Sequence, residues 1–303
     1  MMAEAVPFDL TEEVGRLKAK VSAWIEKANP EMRGPLRWQL LSRSKYFRPL
    51  TIFACYQAVG GKDFSRAVFR SAVSLELFHN VSLIVDDILD RSKTRRGQQT
   101  LHCRFGLLPA LMVSGYLTAA GFQMVSADSY SVRVLGELLQ RLGVAECVQW
   151  RLRRRALGIA DWRAIASEDT GSMFEICARL GTRDLRLRRF GSLLGILYHG
   201  CDDVGDIRGA AALGGGGEED LRDGILTLPA AIAIRDPQAA LLFKNPLNGS
   251  RAKLTNHLVA ALPDAEKYLD EIAQEAITEA RRQATNPKPL VAMVHRTRAL
   301  SLR

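Results

Sequence analysis

The 303-residue sequence is short of the features that build sheets, covalent bridges and linkers. β-Branched alternating runs are few, and no Asn-Gly or Asp-Gly dipeptide joins two of them. The dipeptide Asp223-Gly224 precedes only a short apolar stretch with no partner. A sheet is thereby excluded as the main architecture. The five cysteines, Cys55, Cys103, Cys147, Cys177 and Cys201, are odd in number and form no Cys-x-x-Cys pair. That spacing excludes a disulfide framework or a zinc knuckle and predicts buried thiols in a reducing, cytoplasmic setting. No basic stretch followed by an apolar one opens the chain, so no secretory signal is expected. No repeat and no Pro- or Ser-rich linker divides it, so residues 1–303 are expected to form one domain.

The net charge of +9 lacks the company that would make it a nucleic-acid surface. Arginines cluster at 151–155 and 183–189, but no aromatic-basic interleaving, zinc-finger spacing or helix-turn-helix signature accompanies them. They read as solvated helix faces. Charge is also missing throughout 105–127, a length that would span a bilayer. Pro109, Ser114, Thr118, Gln123 and Ser126 interrupt that run, and no second span lies beside it. It reads as a helix buried on all sides, with no transmembrane segment.

Helical periodicity is what the sequence does contain, with an apolar share of 47% that supports a sizeable core. Helices are predicted over 10–28, over 48–59 (started at Pro49) and over 63–91. Further helices are predicted over 132–155, 161–180 (with Asp161 as N-cap), 185–207, 227–235, 238–243 and 250–283. Gly214-Gly215-Gly216-Gly217 breaks the pattern as a flexible loop, and the tail from Asn286 reads as short, basic and less ordered. The fold class is all-α, a helical bundle.

Two acidic clusters carry the chemistry. Asp86-Asp87-Ile88-Leu89-Asp90 ends one apolar helix, and Asp202-Asp203-Val204-Gly205-Asp206 repeats the spacing at the end of another. On a helix the first and last aspartates of each cluster share a face one turn apart. Converging carboxylates repel, and a hard divalent cation relieves that repulsion; magnesium commonly bridges one or two carboxylates to substrate phosphates. An acidic helix end on the surface explains either cluster alone. A second copy favours a site for a diphosphate held through several ions. Arg95-Arg96-Gly97 follows the first cluster closely enough to bind phosphate oxygens, and Lys45, Arg48 and His79 stand nearby in sequence.

With these residues in place the sequence resembles the trans-isoprenyl diphosphate synthase, or polyprenyl synthetase, family. The match runs through Ser44-Lys45-Tyr46-Phe47-Arg48-Pro49, then Leu75 to Asp90, then Arg95-Arg96-Gly97. It resumes at Asp169-Thr170-Gly171, Asp202 to Asp206, and Asp220 with Thr227-Leu228-Pro229, covering roughly residues 40–235. The resemblance implies an isoprenoid synthase fold with a central active-site cavity, homodimeric, using magnesium, three ions with diphosphate bound. It implies Asp86, Asp90 and Asp202 as direct magnesium ligands, supported by Asp87, Asp203 and Asp206. Arg95 would contact the allylic diphosphate, and Lys45, Arg48, His79 and Arg96 the isopentenyl diphosphate, with Thr170 and His199 also in the substrate-binding set. The implied reaction condenses isopentenyl diphosphate with an allylic prenyl diphosphate to a product of fifteen to twenty carbons, geranylgeranyl diphosphate favoured.

The pattern also departs from the family. Asp169 stands where the family has a lysine, Tyr198-His199 where it has Phe-Gln, and Gly216 and Ile225 where further lysines are usual. The isopentenyl diphosphate side is therefore expected to be intact and the allylic side to have lost positive charge. The alternative this raises is a class I terpene synthase that ionises and cyclises or quenches a prenyl diphosphate. Val81 and Ser82, one turn before Asp86, leave room for a growing chain, and Phe78 is expected to form its floor.

Overall fold

A computed structural model describes residues 10–41, 44, 46–209, 217–245 and 251–301, with 217–219 described by backbone alone. The described residues are almost wholly helical. The helices are α1 (Thr11–Lys27), α2 (Pro30–Leu41), α3 (Phe47–Ala58), α4 (Arg66–Leu89), α5 (Leu101–Phe105), α6 (Leu107–Met124), α7 (Ser129–Leu152) and α8 (Ile159–Ala166). They continue as α9 (Ser172–Thr182), α10 (Arg188–Arg208), α11 (Gly217–Asp223), α12 (Leu228–Ala233), α13 (Pro237–Lys244), α14 (Arg251–Ala260), α15 (Leu262–Gln283) and α16 (Lys288–Arg298). The expected all-α class is the observed one.

Several boundaries differ for physical reasons. The span 161–180 is not one helix: a π-helical turn, Ser167–Gly171, separates α8 from α9. Asp161 is not the N-cap; it sits inside the first turn of α8, where its Oδ2 accepts from the Gly158 amide at 3.1 Å. The span 250–283 breaks at Ala261, where Pro263 starts the second helix without needing an amide donor. α2, absent from the sequence reading, opens on Pro30, and Asn29 Oδ1 accepts from the Glu31 amide at 3.0 Å. The tail is ordered rather than loose: α16 buries Leu290, Met293 and Val294. One β-hairpin also appears, with β1 (Thr94–Arg95) paired to β2 (Gln98–Gln99). Of the glycine loop expected over 214–217, residues 214–216 lie outside the described residues, and Gly217 is not loop but begins α11.

The chain forms two compact units. The first comprises the described residues of Met1–Gly136 with Ile176–Arg186 and Ala284–Ala292. Its core is built around α4, a helix without Gly or Pro whose start is capped by Ser65 Oγ accepting from the Val68 amide at 3.3 Å. α4 packs closely on α6: Ser74 Oγ donates to the Gly121 carbonyl at 2.7 Å, and a methyl at Gly121 would come within 2.9 Å of the Phe78 ring. Two helices, α4 and α6, are long and apolar enough to cross a membrane by length and composition. α4 is mostly buried. α6 is not buried on all sides: Ala110, Val113, Leu117 and Gly121 face inward, while Leu107, Leu108, Leu111 and Met112 are exposed. The missing charge in this run reflects an uncovered apolar face.

The second unit comprises Glu137–Glu175, Leu187–Gln283 and the described residues of Met293–Arg303. Its centre is α10, packed on α15 and on the π-turn. A methyl at Gly195 would lie 2.6 Å from Gly171 Cα, and one at Gly200 would lie 2.6 Å from Leu269 Cδ2, so the small residues set both approaches.

Candidate active site

In the first unit the acidic cluster occupies the C-terminal turn of α4, with the Asp90 amide bonded to the Asp86 carbonyl at 2.9 Å. Asp86 and Asp90 therefore share a face, both half-buried. A helix C-terminus disfavours negative charge, so helix formation gives no reason for carboxylates there. Asp87 is turned elsewhere: it is 3% exposed and accepts from Arg95 Nε at 2.6 Å. Among the described residues no three His, Cys, Asp or Glu side chains gather as a metal cage. A pair of oxygen donors on one helical face instead suits an ion that completes its shell with water and substrate phosphate.

Arg95 belongs to the hairpin that follows. Its two-residue turn, Arg96-Gly97, has φ of 54° and 71°, the left-handed geometry of a type I′ turn. Gly97 adopts it freely; Arg96 does so at a cost of about 1 kcal/mol or more, as do Tyr46 (φ 50°) and Arg91 (φ 55°). These three strained positions flank the basic and acidic segments singled out in the sequence. The hairpin puts Arg95 and Arg96 beside Asp87, Asn80, Gln39 and Ser44 around a small cavity of about 40 Å³.

Arg48, at the start of α3, reaches His79 on α4, with Nη1 at 2.8 Å from Nε2. Burial, reinforced by the charges of Arg48, Arg96 and Arg95, holds the His79 imidazole well below the usual histidine range. The ring is therefore neutral at pH 7. Because a guanidinium only donates, Nε2 is the acceptor and Nδ1 carries the proton. Nδ1 is buried with no hydrogen-bond partner among the described residues. It is a donor in want of an acceptor, next to two arginines. Lys45 lies outside the described residues.

In the second unit Asp202, Asp203 and Asp206 occupy the last turns of α10, which stops at Gly209 in the left-handed conformation. Asp202 and Asp206 are half-buried. Asp203 is a structural anchor: its Oδ2 accepts from Trp162 Nε1 at 2.8 Å and from the Leu228 amide at 2.7 Å. That amide opens α12, whose N-cap Thr227 accepts from the Ala230 amide at 3.3 Å and whose second position is Pro229. The Thr-Leu-Pro landmark is thus a helix start that delivers one N–H to Asp203. Neither donor was visible in the sequence, because each lies far along the chain and neither is a residue type that signals an aspartate partner. Asp220 sits in α11, where its carbonyl accepts from the Ile225 amide at 3.0 Å.

Asp169 and Thr170 ride on the π-turn. Thr170 Oγ1 and Asp169 Oδ2 lie 3.0 and 3.2 Å from His199 Nδ1, and Asp203 Oδ1 lies 3.8 Å from Nε2. Burial works against the imidazolium, but the carboxylates of Asp203, Asp169 and Asp202 outweigh it and raise His199 to about 9. At neutral pH His199 is a cation held against the aspartate that replaces the family's lysine. The charge lost at one departure is partly restored by the other.

The description "Polyprenyl synthetase" belongs to the family model that matches residues 29–262. Geranylgeranyl pyrophosphate synthase 4 of Arabidopsis thaliana is 28% identical over 74% of this chain and 65% of its own length. Nonaprenyl diphosphate synthase of Mycobacterium tuberculosis is 27% identical over 87% and 83%. Among solved structures, heptaprenyl diphosphate synthase of Staphylococcus aureus matches with a TM-score of 0.86 at 18% identity, covering 98% of this chain and 99% of that one. A polyprenyl synthase of Caulobacter crescentus, complexed with calcium and isoprenyl diphosphate, matches with a TM-score of 0.84 at 20% identity over 96% and 95%. The motifs, the all-α fold and a family match over most of the length agree: this chain belongs to the polyprenyl synthetase family of prenyltransferases.

Proposed function

We propose that this chain is a magnesium-dependent enzyme that condenses isopentenyl diphosphate with an allylic prenyl diphosphate, geranylgeranyl diphosphate being the main product. The observation that carries this reading is the contact between Arg48 and His79, with the unpartnered Nδ1 donor of His79 and Arg96 beside it. A cyclase, which binds one diphosphate substrate, has no use for a second diphosphate pocket. Asp169 favours the other reading, a class I terpene synthase, but His199 answers much of the charge it removes.

On this reading Asp86, Asp90, Asp202 and Asp206 hold the ions, while Asp87 and Asp203 keep the helix ends in place through Arg95, Trp162 and Leu228. The donor set fits magnesium, because it consists of hard carboxylate oxygens paired one helical turn apart. Bound magnesium, three ions with diphosphate present, supplies electrostatic stabilisation to the leaving diphosphate. Arg95, Thr170 and His199 bind the allylic diphosphate. Lys45, Arg48, His79 and Arg96 bind that of isopentenyl diphosphate and orient its double bond. The allylic C–O bond breaks with its electron pair leaving on diphosphate, the double bond attacks the allylic carbon, and a proton passes from the resulting cation to the released diphosphate as the new alkene forms. Whole-chain activity is taken to come from one isoprenoid synthase domain, cytoplasmic and homodimeric; the exposed apolar face of α6 supports the dimer.

A paired incubation with magnesium tests the reading. Farnesyl diphosphate alone should be recovered unchanged, and farnesyl plus isopentenyl diphosphate should give geranylgeranyl diphosphate. Hydrocarbon or alcohol products from farnesyl diphosphate alone would sink elongation in favour of the synthase alternative. Asp86→Ala and Asp202→Ala should each lower turnover about a thousandfold, the several kcal/mol that metal-borne charge stabilisation supplies.

A further inference from the structure

The proposed mechanism makes no use of Glu76. This residue lies on α4 one turn before Asn80 and is 3% exposed. Asn80 Nδ2 donates to the Glu76 carbonyl at 2.8 Å and approaches Oε1 at 3.5 Å, while Asn80 Oδ1 accepts from Gln39 Nε2 at 3.1 Å. Glu76 Oε2 is buried with no hydrogen-bond partner among the described residues. A carboxylate so placed stays ionised only where nearby cations compensate for the lost water.

Two cations do so: Arg48 from α3 and Arg96 from the hairpin turn. Burial pushes the Glu76 carboxyl up; these two arginines and the Asn80 amide pull it back, and it comes to rest at about 7. Tyr46, ahead of α3, and Cys177, on α9, also act on Glu76 electrostatically. Burial pushes both well above their ordinary ranges, so both are uncharged at pH 7. His79, on the same helix, is neutral as described above. Arg48 and Arg96 are thus the charges that decide the state of Glu76, and they are the same two residues read above as diphosphate ligands.

We propose that Glu76 is a positioning residue of the isopentenyl diphosphate pocket that takes up a proton as the pocket fills. This rests on the reading of Arg48, His79 and Arg96 as that pocket. With the pocket empty, the carboxylate offsets two guanidinium charges and favours their inward pose. An arriving diphosphate neutralises those charges with its own oxygens. The attraction that kept Glu76 ionised falls away, and a dry carboxylate takes a proton from a buffer acid. The balance is carboxylate plus diphosphate plus buffer acid, giving carboxylic acid, bound diphosphate and buffer base. The new O–H bond forms on the Glu76 carboxyl, and no electron is transferred.

Calorimetric titration of isopentenyl diphosphate alone into the full chain tests this. Without an allylic partner no turnover occurs, and at pH 8 the ligand's own phosphate, with a second pKa of about 6, is almost fully ionised. Titrations in two buffers of different ionisation enthalpy should show close to one proton taken up per ligand bound. The sign follows from linkage: because the bound state holds more protons, affinity should be flat below pH 7 and fall above it, by at most about tenfold per pH unit. Glu76→Gln should still bind, with neither the proton uptake nor the fall in affinity. His79→Gln should bind more weakly and keep the uptake. Binding to the unaltered chain without proton uptake would overturn the role of Glu76 and leave the pocket reading standing, whether or not the variant folds. Uptake persisting in Glu76→Gln would do the same. No heat from isopentenyl diphosphate at millimolar concentration would overturn the pocket reading and this proposal together.

Discussion

Asp203 shows what a buried carboxylate needs in order to stay where it is. Its Oδ2 accepts from the Trp162 indole and from the Leu228 amide, two donors on two other elements. Hydrogen bonds to charged groups contribute roughly 1.5–3 kcal/mol, and leaving such an acceptor unsatisfied costs more than losing a neutral one. Trp162→Phe keeps most of the ring and removes the N–H. It should therefore lower unfolding free energy by about 2 kcal/mol in a urea titration. A loss below about 0.5 kcal/mol would show that the indole bond contributes nothing net. The acidic residues themselves were legible in the sequence, because a four-residue spacing is a local property of one helix. Their partners were not. Trp162 and Leu228 meet Asp203 only through the fold, and Arg95 reaches Asp87 because the chain reverses just after α4, at Arg91 (φ 55°), where the Ser92 amide bonds the Asp87 carbonyl at 3.0 Å.

Among the elements, long helices with a clear apolar period were readable and short or interrupted ones were not. α1, α3, α4 and α10 fall within a few residues of their predicted spans. α2 carries Gly34 and Pro35, which interrupt its apolar period, yet it holds because Leu36 and Leu40 are buried. The hairpin strands are two residues each, too short to show alternation. The π-turn has no sequence signature of its own, since it arises where Gly171 and Gly195 let two backbones approach. In α16 the basic residues mask the short Leu290, Met293, Val294 period, so the buried face emerges only from the structure. α4 also carries the prediction for product length. Phe78 lies about 12 Å of helix below Asp86, wholly buried against Phe122 with ring centroids 5.0 Å apart, while Val81 and Ser82 above it are half-buried. On the proposed reading a prenyl chain growing along α4 meets that ring. Phe78→Ala should shift the products to longer chains by one or more five-carbon units, read by mass spectrometry after dephosphorylation. An unchanged product distribution from the folded variant would remove Phe78 as the floor.

For the molecule as a whole, α6 sets the question of how many chains work together. One of its faces packs on α4, so the helix has only one side to offer. That side presents Leu107 (54% exposed), Leu108 (68%), Leu111 (44%) and Met112 (56%), continued by exposed Gly115 and Ala119. Scattered exposed apolar residues are ordinary, but a contiguous helical stripe of them marks a surface that another protein or a lipid phase covers. A second copy placed about a two-fold axis would set the same stripe against itself, the self-complementary contact of a C2 dimer, with Gly115 and Ala119 allowing close approach. The chain should accordingly run at twice its 33.5 kDa mass in sedimentation or light-scattering measurements. Replacing Leu108 and Met112 together by lysine would bury two unpaired ammonium groups from each chain at the centre of that contact, each costing several kcal/mol. The doubly substituted chain should fall to 33.5 kDa while keeping its helical circular dichroism, because neither side chain contributes to the core. A monomeric unaltered chain, or a dimer untouched by the two lysines, would show that this face is covered by something other than its own copy.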